Sequence, residues 1–289
     1  MTAVLVALAV LTATHAPAPD SLRAALRARI DAVPGAVVAL SYLDLTTGDT
    51  LHLNADDSFH AASTMKVPVM VELFRQVDRG QLSLDRTVRL VNEFHSIVDG
   101  SPYSLSAGDD SDSLVYRRVG QMVPVRELLE RMIVRSSNLA ANALIELVGA
   151  ERANATAHAL GAKNIRVLRG VEDNKAFQAG LNNSTTSRDL AVIMAAIAQH
   201  RAASAVSCDS MLAILSRQEF NDEIPAGLPA GTRVAHKTGS ITAVLHDAAI
   251  VYPATGRPYV LVVLTRGMPD EKVARALIAD LSRIVFQRR

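Results

Sequence analysis

Apolar residues recur along this chain with two different periods. Leu22, Ala25, Leu26 and Ile30 share one face of a helix over 21–32, with Asp20 or Ser21 as its N-cap. Two extended runs follow, 36–45 and 50–54, around Thr46-Thr47-Gly48-Asp49, which predicts a hairpin. Val67, Met70, Val71 and Phe74 then mark a second helix. In the middle of the chain, 125–133, 140–148, 151–160 and 187–199 each show apolar residues at helical spacing, separated by Asn, Gly, Thr or Ser. Extended runs return at 233–236, 247–252 and 259–265, and a helix over 270–286 closes the chain. Strands at both ends with helices between them predict an α+β fold. Its antiparallel sheet, flanked by helices, is built from 19–62 and 215–289, and an all-helical domain, 63–214, is inserted.

Composition narrows the classes. Hydrophobic residues make up 49% of the 289, enough for a substantial core. Thirty basic residues against 29 acidic ones give a formal charge of +1 with no basic stripe, so nucleic acid is not an expected partner. The apolar run over 3–11, followed by small residues through Ala18, reads as a secretory signal over 1–18, although no Lys or Arg precedes its core; the alternative is a buried strand or helix. No later run approaches the roughly 20 apolar residues that span a bilayer. The mature protein is expected to be soluble, secreted or periplasmic, and monomeric. Cys208 is the single cysteine, and the eight histidines form no His-x-x-x-His or His/Cys cluster, so neither a disulfide, a metal site nor another cofactor is expected.

Ser63-Thr64-Met65-Lys66 stands where the extended run gives way to the Val67 helix. Residues three apart share a helix face, so the Lys66 amine can take the Ser63 proton and make that hydroxyl a nucleophile. The helix start offers unpaired N–H groups to the oxyanion that follows attack on a carbonyl. Alone, the tetrapeptide reads first as an exposed polar pair. Two further stretches change its meaning: Ser136-Ser137-Asn138 and, much later, His236-Lys237-Thr238-Gly239-Ser240.

Ser-x-x-Lys, Ser-x-Asn and Lys-Thr-Gly in this order resemble the signature of the serine β-lactamase and penicillin-binding superfamily, class A in particular. The resemblance covers nearly the whole mature chain and departs at Ser137, where class A enzymes usually carry Asp. It implies a β-lactamase/transpeptidase-like fold and a small β-lactam or peptide as substrate. Ser63 is then the nucleophile, Lys66 its base and Ser136 a proton relay to the leaving nitrogen. Asn138 holds a substrate amide, Lys237 and Thr238 a substrate carboxylate. Gly239 leaves room for the substrate along the strand, and the N–H groups of Ser63 and Ser240 form the oxyanion hole. Like-charge repulsion from Lys237 is expected to keep Lys66 neutral.

The same resemblance points to 169–177 for the deacylating base. With one extra residue after Arg169, Glu172 is the candidate, helped by Asn174, with Arg169 pinning the loop through Asp189 or Asp173. The other reading of Glu172 is a surface carboxylate, which leaves a penicillin-binding or sensing module that acylates without turnover. A cell-wall DD-peptidase or esterase with the same nucleophile is a third possibility. The polar stretch 93–118, containing Gly108-Asp109-Asp110-Ser111, is either a cleft edge lined by Tyr103 or Tyr116, or a solvated loop.

Overall fold

The two periods sort the chain into a sheet and its helical covers. The computed structural model describes residues 20–289, and the signal expected over 1–18 lies outside the described residues. Helix α1 (Asp20–Asp31) leads into β1 (Val37–Asp44) and β2 (Thr50–Leu53). The Thr46 and Thr47 N–H groups tie the hairpin by donating to Asp44 Oδ1 at 2.8 and 3.0 Å. Then come α2 (Lys66–Asp78), α3 (Val125–Val134), α4 (Asn138–Val148), α5 (Ala150–Ala159), α6 (Asn174–Gln178), α7 (Ser187–Ala198) and α8 (Ala205–Leu215). Strands β3 (Arg233–Ile241), β4 (Val244–Tyr252) and β5 (Tyr259–Arg266) and helix α9 (Glu271–Arg288) complete the chain.

Those five strands pair antiparallel in the order β2-β1-β5-β4-β3, so both chain ends meet in one sheet. Successive strand residues face opposite ways. Tyr259, Leu261 and Val263 of β5 therefore pack in the core under α1 and α9, whereas Val260, Val262 and Leu264 join the larger core under the other helices. Burial on both faces explains why these strands read as unbroken apolar runs.

Helix α2 runs through the larger core and is buried on every side from Lys66 to Phe74, not on one face alone. The α+β expectation holds, with two local corrections. Ser63 does not occupy the first turn of α2; it lies in a 3₁₀ turn, Ala62–Met65, ahead of it. Strand β3 runs on through the third motif as expected, with Lys237 to Ser240 pairing with Ala248 to Leu245 of β4. Helix α8 is not predicted by the apolar spacing: Val206 is exposed while Ser207 and Cys208 are buried, so its pattern runs against residue type. Among the described residues no helix is long and apolar enough to cross a membrane.

Candidate active site

Three segments far apart in the chain converge on one hydroxyl, that of Ser136. Lys66 opens α2 with its side chain wholly buried, and its Nζ donates to Ser63 Oγ at 3.0 Å, Asn138 Oδ1 at 2.9 Å and the Ser136 carbonyl at 2.5 Å, with Ser136 Oγ at 3.3 Å. From the other side the buried Lys237 Nζ donates to the same Ser136 Oγ at 2.9 Å and to the Thr238 carbonyl at 2.9 Å. Ser136 Oγ thus lies between two amines. Burial pushes Lys66 down to about 7, against the pull of Asp110 and then Glu172 toward the charged form. Lys237 is also pushed far down, by burial first and then by the Lys66 charge. Burial is thus the leading cause that frees the Lys66 amine, and the repulsion between the two amines disfavours a state in which both are charged.

The backbone is strained here. Ala62, Ser136 and Glu172, at φ +45°, +58° and +64°, are three of the six non-glycine residues with positive φ among the described residues. Such conformations cost about 1–3 kcal/mol each and persist only where surrounding contacts dictate them. Gly239 answers a similar demand. A Cβ on it would stand 3.1 Å from both the Ser63 and Thr64 nitrogens, so a side chain there would press the Ser63 turn away from β3 by a few tenths of an ångström. The glycine thus has a structural reason in this close contact, independent of any substrate. β3 is the edge of the sheet, and Thr238, Gly239 and Ser240 line a cleft together with Ser63, Ser136 and Asn138.

Glu172 reaches the cluster through Asn138, whose Nδ2 donates to Glu172 Oε1 at 2.9 Å while its Oδ1 accepts from Lys66. Burial, then Asp110 and Asp109, raise the half-buried Glu172 carboxyl above its ordinary value, opposed by the Asn138 hydrogen bond. The loop around it departs from expectation in two ways. Asn174 is exposed at the start of α6, so the amide on Glu172 is that of Asn138. Arg169 pins the loop through the carbonyls of Leu181 at 2.9 Å and Gly170 at 3.0 Å and through Asn182 Oδ1 at 3.1 Å, and among the described residues it makes no ion pair. Asp189 instead accepts from the Asn164 N–H at 2.7 Å, and Asp173 from the Ala176 and Ile97 N–H groups at 3.0 and 2.9 Å.

The polar stretch does form a cleft edge, through Asp109 and Ser111 and not through a tyrosine. Tyr103 packs on Phe94 with ring centroids 5.9 Å apart, and the Tyr116 hydroxyl donates to Asp110 Oδ2 at 3.2 Å. Sequence reasoning also missed Asn142, which clamps Val171 by accepting its N–H at 2.6 Å and donating to its carbonyl at 3.0 Å. Its position four residues after Asn138, on the same face of α4, was the available signal. At the far end of the cleft, Glu223 and Arg275 line the wall, joined at 2.9 Å. No sequence pattern links those two.

The beta-lactamase enzyme family matches residues 21–288. Among curated relatives, the beta-lactamase AST-1 of Nocardia asteroides is 28% identical over 89% of this chain and 81% of its own length. The extended-spectrum beta-lactamase PER-1 of Pseudomonas aeruginosa is 28% identical over 83% and 78%. Among solved structures, PBP-A superposes with a TM-score of 0.80 at 29% identity, covering 94% of this chain and 97% of its own. A variant of the class A beta-lactamase of the last common ancestor of Gram-negative bacteria gives 0.79 at 27%, covering 92% and 97%.

Proposed function

The chain belongs to the beta-lactamase enzyme family, as a hydrolase of class A type, and on that premise we propose that it opens β-lactam rings through an acyl-enzyme on Ser63. The observation that carries this reading is a buried Lys66 amine, pushed down to about 7, in contact with Ser63 at 3.0 Å and with Ser136. Such an amine is neutral often enough near pH 7 to accept a proton. Ser63 Oγ attacks the lactam carbonyl as its proton passes to Lys66 Nζ. The N–H groups of Ser63 and Ser240 hold the oxyanion, and each such donor is worth about 2.7–4 kcal/mol. As the C–N bond breaks, Ser136 gives its proton to the leaving nitrogen and recovers one from Lys66. Lys237 and Thr238 receive the substrate carboxylate, and an anion there restores the positive charge that burial disfavours on Lys237.

Glu172 then takes a proton from water, the resulting hydroxide attacks the ester, and Ser63 leaves with that proton returned to it. Asn138 holds Glu172 for this step and also presents its amide to the substrate. Apart from that water, every step uses groups of the chain and of the substrate. The apolar run over 3–11 supports a secreted or periplasmic protein, and nothing in these steps calls for a second subunit.

Similarity to PBP-A supports a second reading, a penicillin-binding or sensing module in which Glu172 does not act, and a PBP-A mutant is known as an acyl-enzyme complex with penicillin-G. Peptide or ester substrates would use the same nucleophile. Intact-protein mass spectrometry with a chromogenic cephalosporin separates the three. Turnover with a transient adduct, lost in Ser63→Ala and made persistent in Glu172→Ala, supports the lactamase. A persistent adduct in the parent protein supports the binding module, and neither adduct nor ring opening overturns both and directs the search to peptides and esters.

A further inference from the structure

Helix α4 begins inside the site, at Asn138, yet its first turn contains no acidic residue. A helix N-terminus leaves four N–H groups unpaired and favours a negative charge beside it. Here the charge comes from elsewhere in the chain. Asp110, buried under the polar stretch, accepts the Asn138 and Leu139 N–H groups on Oδ2, both at 2.9 Å, and Ser137 Oγ reaches the same oxygen at 3.3 Å. Ser137 completes the turn, its Oγ accepting from the Ala140 N–H at 3.2 Å and its carbonyl from the Ala141 N–H at 3.2 Å. The Ser137 N–H donates to the Arg131 carbonyl at 3.0 Å, so the four N–H groups that the helix itself leaves unpaired, those of Ser137 to Ala140, are all satisfied, two of them by a residue 28 and 29 positions away.

Asp110 is itself held in place. Its Oδ1 accepts the Asp112 N–H at 2.9 Å and its Oδ2 the Tyr116 hydroxyl at 3.2 Å, and Asp112 is anchored to α3 by Arg131 at 2.8 Å. We infer that Asp110 is a positioning residue of the active site: it supplies from the 93–118 stretch the carboxylate that position 137 lacks, and so fixes the strained Ser136 to Asn138 turn against Lys66. This inference rests on the reading of Ser63 and Lys66 given above. It makes the polar stretch part of the catalytic support, since the residue touches neither the nucleophile nor the cleft. A second effect follows from charge. Asp110 and Glu172 favour the charged form of Lys66, while the titratable group facing it from β3 is Lys237, whose own charge burial disfavours.

Two variants separate charge from shape. Asp110→Asn keeps an oxygen for the two N–H groups and removes the charge. Ser137→Asp restores a carboxylate at the helix start, but in the parent protein it sets two buried carboxylates against each other. The readouts are the titration of Lys66 in the free protein, followed by NMR of labelled lysine, and the rate of Ser63 acylation by a chromogenic cephalosporin. Asp110→Asn is expected to move the Lys66 titration to lower pH and to slow acylation on its plateau by roughly threefold or more. Ser137→Asp alone slows acylation as well, whereas the double variant recovers both the titration and the rate. An unmoved Lys66 titration in Asp110→Asn, or losses that add in the double variant, overturns the inference. If the parent protein forms no adduct, the β-lactam reading fails, and the titrations still decide the role of Asp110 because they need no substrate.

Discussion

Replacing Glu223 by Gln should stabilise the protein at neutral and alkaline pH and leave it unchanged in acid. Glu223 is 1% exposed; its Oε1 accepts from Arg275 at 2.9 Å, and its Oε2 has no partner. Burial, followed by the nearby Asp247, pushes the carboxyl from its ordinary 4.5 up to about 7, with Arg275 opposing. A carboxyl raised in this way holds its proton more tightly in the folded chain than in the unfolded one. The stability this contributes is fully present below about pH 4.5 and is lost as pH rises through about 7. A rise of that size corresponds to about 3 kcal/mol. Gln keeps an oxygen for Arg275 and never ionises, so it avoids the loss. At about 2–4 °C per kcal/mol for a chain of this class, the melting temperature should diverge by several degrees between pH 4 and pH 8.5. Differential scanning fluorimetry of the two proteins across that range is the assay. A difference that is constant with pH, or a parent protein that melts higher than the variant at pH 8.5, would refute the reasoning.

The remaining predictions concern the site. Acylation needs a neutral Lys66, so its rate should fall about tenfold per pH unit below about 7, and Lys66→Arg, which cannot deprotonate, should abolish it; stopped-flow acylation from pH 5 to 9 is the check. Gly239→Ala must displace the Ser63 turn, because its Cβ has 3.1 Å to the Ser63 and Thr64 nitrogens. A loss of about 10²-fold in acylation is expected, the scale of one oxyanion donor, with a melting temperature within a few degrees of the parent. Asn142→Ala removes both hydrogen bonds to Val171, so the Glu172 loop should loosen. Burst kinetics should then show deacylation slowed at least tenfold with the burst rate preserved.

How far this could be read in advance depended on the range of the contact. Ser63 and Lys66 were legible because a spacing of three places them on one helical face, and the apolar run after them announced the helix. The sheet was legible because burial on both sides leaves unbroken apolar strands. Asp110 was not legible: its partners lie 28 and 29 residues on, and nothing in a Gly-Asp-Asp-Ser run says which carboxylate turns inward. Nor did Arg169 behave as its charge suggested, since carbonyl oxygens of the loop, which no residue type reveals, took the place of Asp189 and Asp173. The positive φ of Ser136 and Glu172 belongs to the same class, being imposed by contacts from other segments.

The strand order has a consequence for how the molecule comes into being. Ser63 is made early, but its partner Ser240 stands on β3, which is held by β4, which is held by β5, and β5 is the strand that joins them to β1. The last strand to leave the ribosome is therefore the keystone of the sheet, and neither half can close on the other before it arrives. Such long-range pairing is slow to form. A chain stopped before Tyr259 would contain every residue of the proposed chemistry and still lack the frame that brings them together.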